Sequence, residues 1–161
     1  MAIGKMSTSL QLHQAAQQRG LRSKFLATGQ AGLMIAGDGI ALDAIRVDFA
    51  SGAVEQMVMQ FGPDFDILHI EGQGSLINPS STATLPLIRG SQPTHLILVH
   101  RAGQTHLSRL PEIAIPPLRE VIHLYETVAT AGGAFPSAKV AAIALNTHHL
   151  NEVAAEQAIE Q

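Results

Sequence analysis

Gly4-Lys5-Met6-Ser7-Thr8 opens a helical stretch and has the residue types that hold phosphate. Successive backbone N–H groups at a helix N-terminus take phosphate oxygens, and a lysine adds a point charge. A complete phosphate loop reads Gly-x-x-x-x-Gly-Lys-Ser/Thr. Here Met6 stands where Ser or Thr is usual, Ser7 and Thr8 follow, and the first Gly would lie before Met1. Gly4, Lys5, Met6, Ser7 and Thr8 are therefore the expected cofactor-binding residues. Ser7 or Thr8 is placed to ligate Mg²⁺ or to cap the helix. Taken alone, the segment also suits an ordinary helix start with Ser7 as N-cap.

Glu71 follows the apolar run Ile67-Leu68-His69-Ile70 and precedes Gly72-Gln73-Gly74. A carboxylate at the C-terminal end of a parallel strand lies over the ligand crevice, where P-loop proteins use it to hold Mg²⁺ or its water. Gly37-Asp38-Gly39 is a second tight segment. Asp38 is a candidate for a metal or a substrate amine, or else a turn residue that caps the helix expected at Ile40. Asp43 lies in the first turn of that helix and can face the same crevice, whereas Asp48 reads as a solvated helix charge. Glu71, Asp43 and Asp38 are the catalytic candidates, and Ser7, Asp43 and Glu71 form the metal set if a Mg-nucleotide binds.

Other strand ends carry groups suited to a ligand. Gln30 and Gln73 are candidate substrate contacts. Arg101 suits a phosphate or carboxylate by bidentate hydrogen bonding, or is a surface residue. Asn146 can read an adenine edge with its amide, or is a turn residue. The eight histidines show no convincing metal-ligand spacing.

Alternating strands and helices position these residues. Helices are expected over 7–19, 40–60, 84–89, 118–131 and 151–160. Strands are expected over 24–28, 65–70, 95–100 and 139–145, with a proline-marked loop over 101–117. Leu96-Ile97-Leu98-Val99 reads as a strand buried on both faces. Strands joined by helical crossovers imply an α/β fold, a mostly parallel sheet with helices on both faces. A P-loop normally follows a strand, and none precedes Gly4, so the first strand of this P-loop NTPase-like, three-layer α/β/α arrangement is missing from the pattern.

Composition narrows the function classes. The chain has 161 residues, 46% hydrophobic and 14% charged, which suits one domain with a substantial core. Cysteine is absent, which excludes disulfides and thiolate metal sites. A net charge of −3 offers no basic face for nucleic acid. No apolar run approaches the roughly 18–20 residues needed to cross a bilayer. No secretory signal is expected, because Lys5 and polar residues follow the start at once. These features point to a cytoplasmic protein.

The runs Ala2-Ile3-Gly4-Lys5-Met6-Ser7-Thr8, Ala27-Thr28-Gly29-Gln30, Ala36-Gly37-Asp38-Gly39-Ile40-Ala41-Leu42-Asp43, Ser51-Gly52-Ala53-Val54-Glu55, Ile70-Glu71-Gly72-Gln73-Gly74-Ser75-Leu76 and Arg89-Gly90-Ser91-Gln92-Pro93 carry a resemblance over nearly the whole chain. Together they resemble the C-terminal P-loop domain of a family long known only as a domain of unknown function. That family includes the D-glutamate (D-amino-acid) N-acetyltransferases. The resemblance implies acetyl-CoA as donor, the amino group of D-glutamate or another D-amino acid as acceptor, and a homo-oligomer. It also implies that residues 1–161 are one P-loop domain, shortened at its N-terminus and lacking the family's Rossmann-like N-terminal domain, which activity would require. The layout is also similar to dethiobiotin synthetase, in which a Glu-Gly pair follows the third strand, an Asp on the second crossover binds metal and an Asn lies beside adenine. That likeness implies Mg-ATP and kinase or ligase chemistry instead. The remaining expectation is a chain that binds without catalysis.

Overall fold

The computed structural model describes residues 3–160, so Ala2 of the loop motif lies outside the described residues. The chain divides into two compact units, one of residues 5–93 and one of residues 94–160 together with Ile3 and Gly4.

In the first unit, helix α1 (Lys5–Gln18) begins on Lys5 itself. Ser7 is thus an exposed residue inside the first turn and not an N-cap. Gly20, at φ 79°, closes the helix: its N–H and that of Leu21 donate to the carbonyls of Gln17 and Ala16. Strand β1 (Ser23–Leu26) runs parallel to β2 (Ile67–Ile70), with Ser23 opposite Ile67 and Leu26 opposite Ile70.

The crossover between these strands differs from the expected single helix over 40–60. A short helix α2 (Gln30–Ala36) comes first and ends on Gly37 in the left-handed conformation. Gly39, at φ 130°, then bridges to Ala27. The N–H groups of Ile40 and Leu42 donate to the carbonyls of Ala27 and Thr28 at 2.9 and 3.1 Å. Those bonds hold this backbone extended along the end of β1, with Ala41 at ψ 92°, and Ile45 is extended again at ψ 135°, so residues 42–44 form only a 3-10 turn and helix α3 spans Val47–Phe61. Asp43 therefore lies on that turn, before the helix, and Asp38 is not its N-cap.

Helix α4 (Thr84–Ser91) packs on α3. Leu42, Ala50, Val54 and Leu87 form a buried cluster, with Ile40, Ile45, Val58, Ile70 and Ala83 against it. A Leu, Ile or Val side chain in such a cluster contributes about 1.5–3 kcal/mol when fully buried.

In the second unit, β3 (His95–Arg101) runs parallel to β6 (Lys139–Asn146), with a register shift after Leu96. Strand β3 is not buried on both faces: among the described residues β6 is its one neighbouring strand, and Ile97 remains 37% exposed. The expected loop over 101–117 contains an antiparallel hairpin, β4 (His106–Leu107) and β5 (Leu110–Ala114). Pro111 is tolerated there because a proline removes a ladder donor only where the strand needs one. Helices α5 (Leu118–Ala129) and α6 (Glu152–Glu160) complete the unit. No helix among the described residues is long and apolar enough to cross a membrane.

Candidate functional site

Parallel pairing of β1 and β2 brings their C-terminal ends level, and the residues just past those ends meet. The Glu71 N–H donates to the Leu26 carbonyl at 3.0 Å, continuing the ladder by one residue. Its carboxylate is buried, with the residue 8% exposed, and its Oε2 accepts the Thr28 backbone N–H at 3.1 Å. The Thr28 hydroxyl donates in return to the Glu71 carbonyl at 2.8 Å. Thr28 itself is fully buried. A buried carboxylate is costly without such partners.

Helix α2 closes one side of this carboxylate. A Cβ on Gly32 would collide with Glu71 Oε2 and with the Cβ of Ala27, so only glycine permits this approach. A Cβ on Gly29 would overlap Gln73 Nε2, which places the Gln73 amide at the first turn of α2, beside Glu71. The Gln73 carbonyl accepts the Thr84 hydroxyl at 2.8 Å, which anchors the loop to α4.

Lys5 closes the other side. Its side chain lies along Gly72, where a Cβ would come within 3.1 Å of its Cδ. Burial lowers the proton affinity of the Lys5 amine, and the negative charge of Glu71 partly restores it. Lys5, Glu71, Gly72 and Gln73 thus form one cluster: a partly buried cation at a helix N-terminus, a fixed carboxylate and a side-chain amide. A bound anion would compensate Lys5 for its lost hydration. This donor set suits phosphate at Lys5 and an amine at Glu71.

The remaining sequence candidates fall elsewhere. Asp43 is exposed and accepts a 3.1 Å hydrogen bond from Gln30 Nε2, so these two candidates engage each other. Asp38 accepts the Lys24 ammonium at 2.8 Å, and that ammonium also lies 4.3 Å from the centre of the Phe61 ring. Asp38 lines a cavity of about 250 Å³ with Ile40, Gln56, Met57 and Gln60. Asn146 ends β6 with its amide engaged at both ends: Nδ2 donates to the Ile3 carbonyl at 2.9 Å and Oδ1 accepts the His148 N–H at 3.1 Å. Arg101, opposite Asn146 in the β3–β6 ladder, is exposed. Met6 and Thr8 are partly buried in the first turn of α1. Among the described residues no group of three or more His, Cys, Asp or Glu could hold a metal ion.

The residue types alone do not reveal the grip of Thr28 on Glu71, nor the close approach at Gly32. The available signal was the Thr-Gly pair just past a buried strand, where a hydroxyl can meet the neighbouring strand end.

Comparison with known proteins adds to this geometry. All of residues 1–161 match the model of a P-loop domain described as a domain of unknown function, DUF1611_C. Two relatives named D-glutamate N-acetyltransferase are similar in sequence. One, from Tritonibacter scottomollicae, is 41% identical over 155 residues, covering 94% of this chain and 45% of that protein. The other, from a Pseudoalteromonas species, is 38% identical over 150 residues, covering 91% and 43%. The chain thus spans less than half the length of these curated relatives. A crystal structure of a DUF1611 family protein from Anabaena variabilis ATCC 29413 matches with a TM-score of 0.97 at 72% identity. It covers 99% of this chain and 47% of that one.

Proposed function

The chain belongs to the DUF1611 family and is its P-loop domain, an α/β fold of the P-loop NTPase-like kind, and from that premise we propose that it serves acetyl transfer from acetyl-CoA to the amino group of a D-amino acid, D-glutamate foremost. The observation that carries this reading is the buried Glu71 carboxylate beside Lys5, with one oxygen already held by Thr28. The names of the two sequence relatives support the substrate class.

In this reading Lys5 and the N–H groups at the start of α1 hold phosphate oxygens of CoA, with no phosphoryl chemistry required. Glu71 takes a proton from the substrate ammonium through Oε1, the oxygen that Thr28 does not hold. The freed amine forms a C–N bond to the acetyl carbonyl carbon as the C–S bond breaks, and the departing thiolate takes up the second proton, lost by that nitrogen. Gln73, beside the carboxylate, donates its amide to the substrate. Thr28 holds Glu71 in place throughout.

Calorimetric titration of the protein tests the reading. Saturable heat with acetyl-CoA, lost in Lys5→Ala, is the expected result. Heat with Mg·ATP and none with acetyl-CoA would overturn it in favour of kinase or ligase chemistry.

A further inference from the structure

Gln73 lies past the end of β2, outside any strand, and two hydroxyls hold its backbone instead. Thr84 donates to the Gln73 carbonyl at 2.8 Å. The Ser75 N–H donates to the Ser81 hydroxyl oxygen at 3.0 Å. The two hydroxyl oxygens lie 2.8 Å apart. A hydroxyl has one proton to give. That of Thr84 goes to Gln73, so the proton between the hydroxyls belongs to Ser81. The chain therefore runs one way, from the Ser75 N–H through Ser81 and Thr84 to the Gln73 carbonyl, and it closes round Gly74. Gly74 sits at φ 65°, and a Cβ there would overlap both hydroxyl oxygens.

Both hydroxyls are themselves anchored. Thr84 is 5% exposed and opens α4, whose Leu87 joins the buried cluster. The Ser81 N–H donates to the Asn78 carbonyl at 2.9 Å, and the Asn78 N–H donates to the Ser75 carbonyl at 3.1 Å. The far end of Gln73 meets the start of α2. Its Nε2 is the atom nearest to the Cβ position of Gly29, and Glu71 Oε2 lies 3.9 Å from the same point. An N–H donor and a carboxylate acceptor thus stand side by side. That is the complement of an α-amino acid, which carries its ammonium and carboxylate on one carbon.

We propose that Ser81 and Thr84 are positioning residues that lock Gln73 as the reader of the substrate's α-carboxylate, while Glu71 takes the ammonium of the same molecule. The inference rests on the proposed reading of Glu71 as the amine site, and it narrows the substrate to α-amino acids with a free carboxylate.

Ser81 and Thr84 act through Gln73 and make no substrate contact of their own. A locked amide need not be ordered anew at each binding event, so its bond to a carboxylate keeps its strength. An amine without that carboxylate leaves the locked donor unpaired, which costs affinity.

Relaxation of the Gln73 side-chain amide, read by NMR, tests the lock. Its order parameter should fall into the flexible range, below about 0.6, in Thr84→Val and recover in Thr84→Ser. Calorimetric titration tests the reader. The unmodified protein should bind D-glutamate at least about tenfold more tightly than 4-aminobutanoate, which keeps the amine and the side-chain carboxylate but lacks the α-carboxylate. Gln73→Leu and Thr84→Val should each erase most of that preference, and Thr84→Ser should restore it. In a Gln73→Leu background, Thr84→Val should weaken D-glutamate binding no further. An equal loss in both backgrounds marks a merely structural threonine and would overturn the proposal. So would an unchanged Gln73 amide in Thr84→Val, or equal binding of the two ligands by the unmodified protein. Should Thr84→Val fail to fold, Ser81→Ala removes the other hydroxyl and is read in the same way. A D-glutamate preference without thiol release from acetyl-CoA would sink acetyl transfer and leave this inference standing. Thiol release without the preference would do the reverse.

Discussion

Thr28 and Glu71 grip each other across the ends of two parallel strands. The Thr28 N–H donates to the Glu71 carboxylate at 3.1 Å, and the Thr28 hydroxyl donates to the Glu71 carbonyl at 2.8 Å. Thr28→Val keeps the shape and the first bond but strands a buried carbonyl. Chemical denaturation should show a loss of about 1–3 kcal/mol. Thr28→Ser retains the hydroxyl and should recover most of that loss. Equal stability of the Val and Ser variants would show that the hydroxyl bond contributes nothing.

Glu71 and Asp38 were alternatives in the sequence and are distinguishable by kinetics. Asp38 is half exposed and held by Lys24, a pair whose contribution to stability is at most about 1 kcal/mol. On the proposed acetyl-transfer reading, Asp38→Asn should leave the rate of thiol release from acetyl-CoA with D-glutamate within about twofold. Glu71→Gln should lower that rate by about 10²–10⁴, the usual worth of a general base. The reverse ranking would move the chemistry to the Gly37–Gly39 turn.

Gly90 lies inside α4, where helix propensity alone would favour alanine by about 1 kcal/mol. Its Cα, however, rests on α3: an added Cβ would collide with the Ser51 carbonyl and with Val54. Overpacking typically costs about 1–3 kcal/mol, so Gly90→Ala should lower the thermal midpoint despite the better helix former. A raised midpoint would show that α3 and α4 separate freely.

Glu126 on α5 accepts the Val140 N–H and the Lys139 ammonium, both at 2.9 Å. The Val140 bond first and the Lys139 bond second hold its carboxyl below the ordinary glutamate range. A lowered pKa means that the unfolded chain binds the proton more readily. The stabilisation is therefore present above the unfolded value of about 4.3 and fades as pH falls towards the folded value. The thermal midpoint should drop more steeply between pH 5 and 3 in the unmodified protein than in Glu126→Gln. Parallel curves would remove Glu126 from the acid response.

The strands, the helix starting at the phosphate-loop residues and the acid at the end of β2 were legible because each rests on local chemistry. Leu96 to Val99 is apolar enough to be a strand in any context, and Glu71 stands out as a charge between an apolar run and two glycines. Gly20 ends α1 as glycine does where a left-handed residue is needed, whereas α2, which Gly37 closes, was not legible. The 40–60 stretch misled because Ile40 and Ala44 happen to match the helical period of Val47 to Val58. What excludes a helix there is remote in sequence: the Ala27 and Thr28 carbonyls, by accepting the N–H groups of Ile40 and Leu42, hold that segment extended along the end of β1. Similarly, the types of Lys5, Thr28, Gly32 and Glu71 are plain in the sequence, but their meeting is not. It follows from the register of β1 on β2 and from a glycine that lets α2 approach a carboxylate. Local propensity is a property of neighbouring residues and can be read along the chain. Which carboxylate is buried, and which is merely paired at the surface, depends on contacts between distant segments that only the folded packing creates.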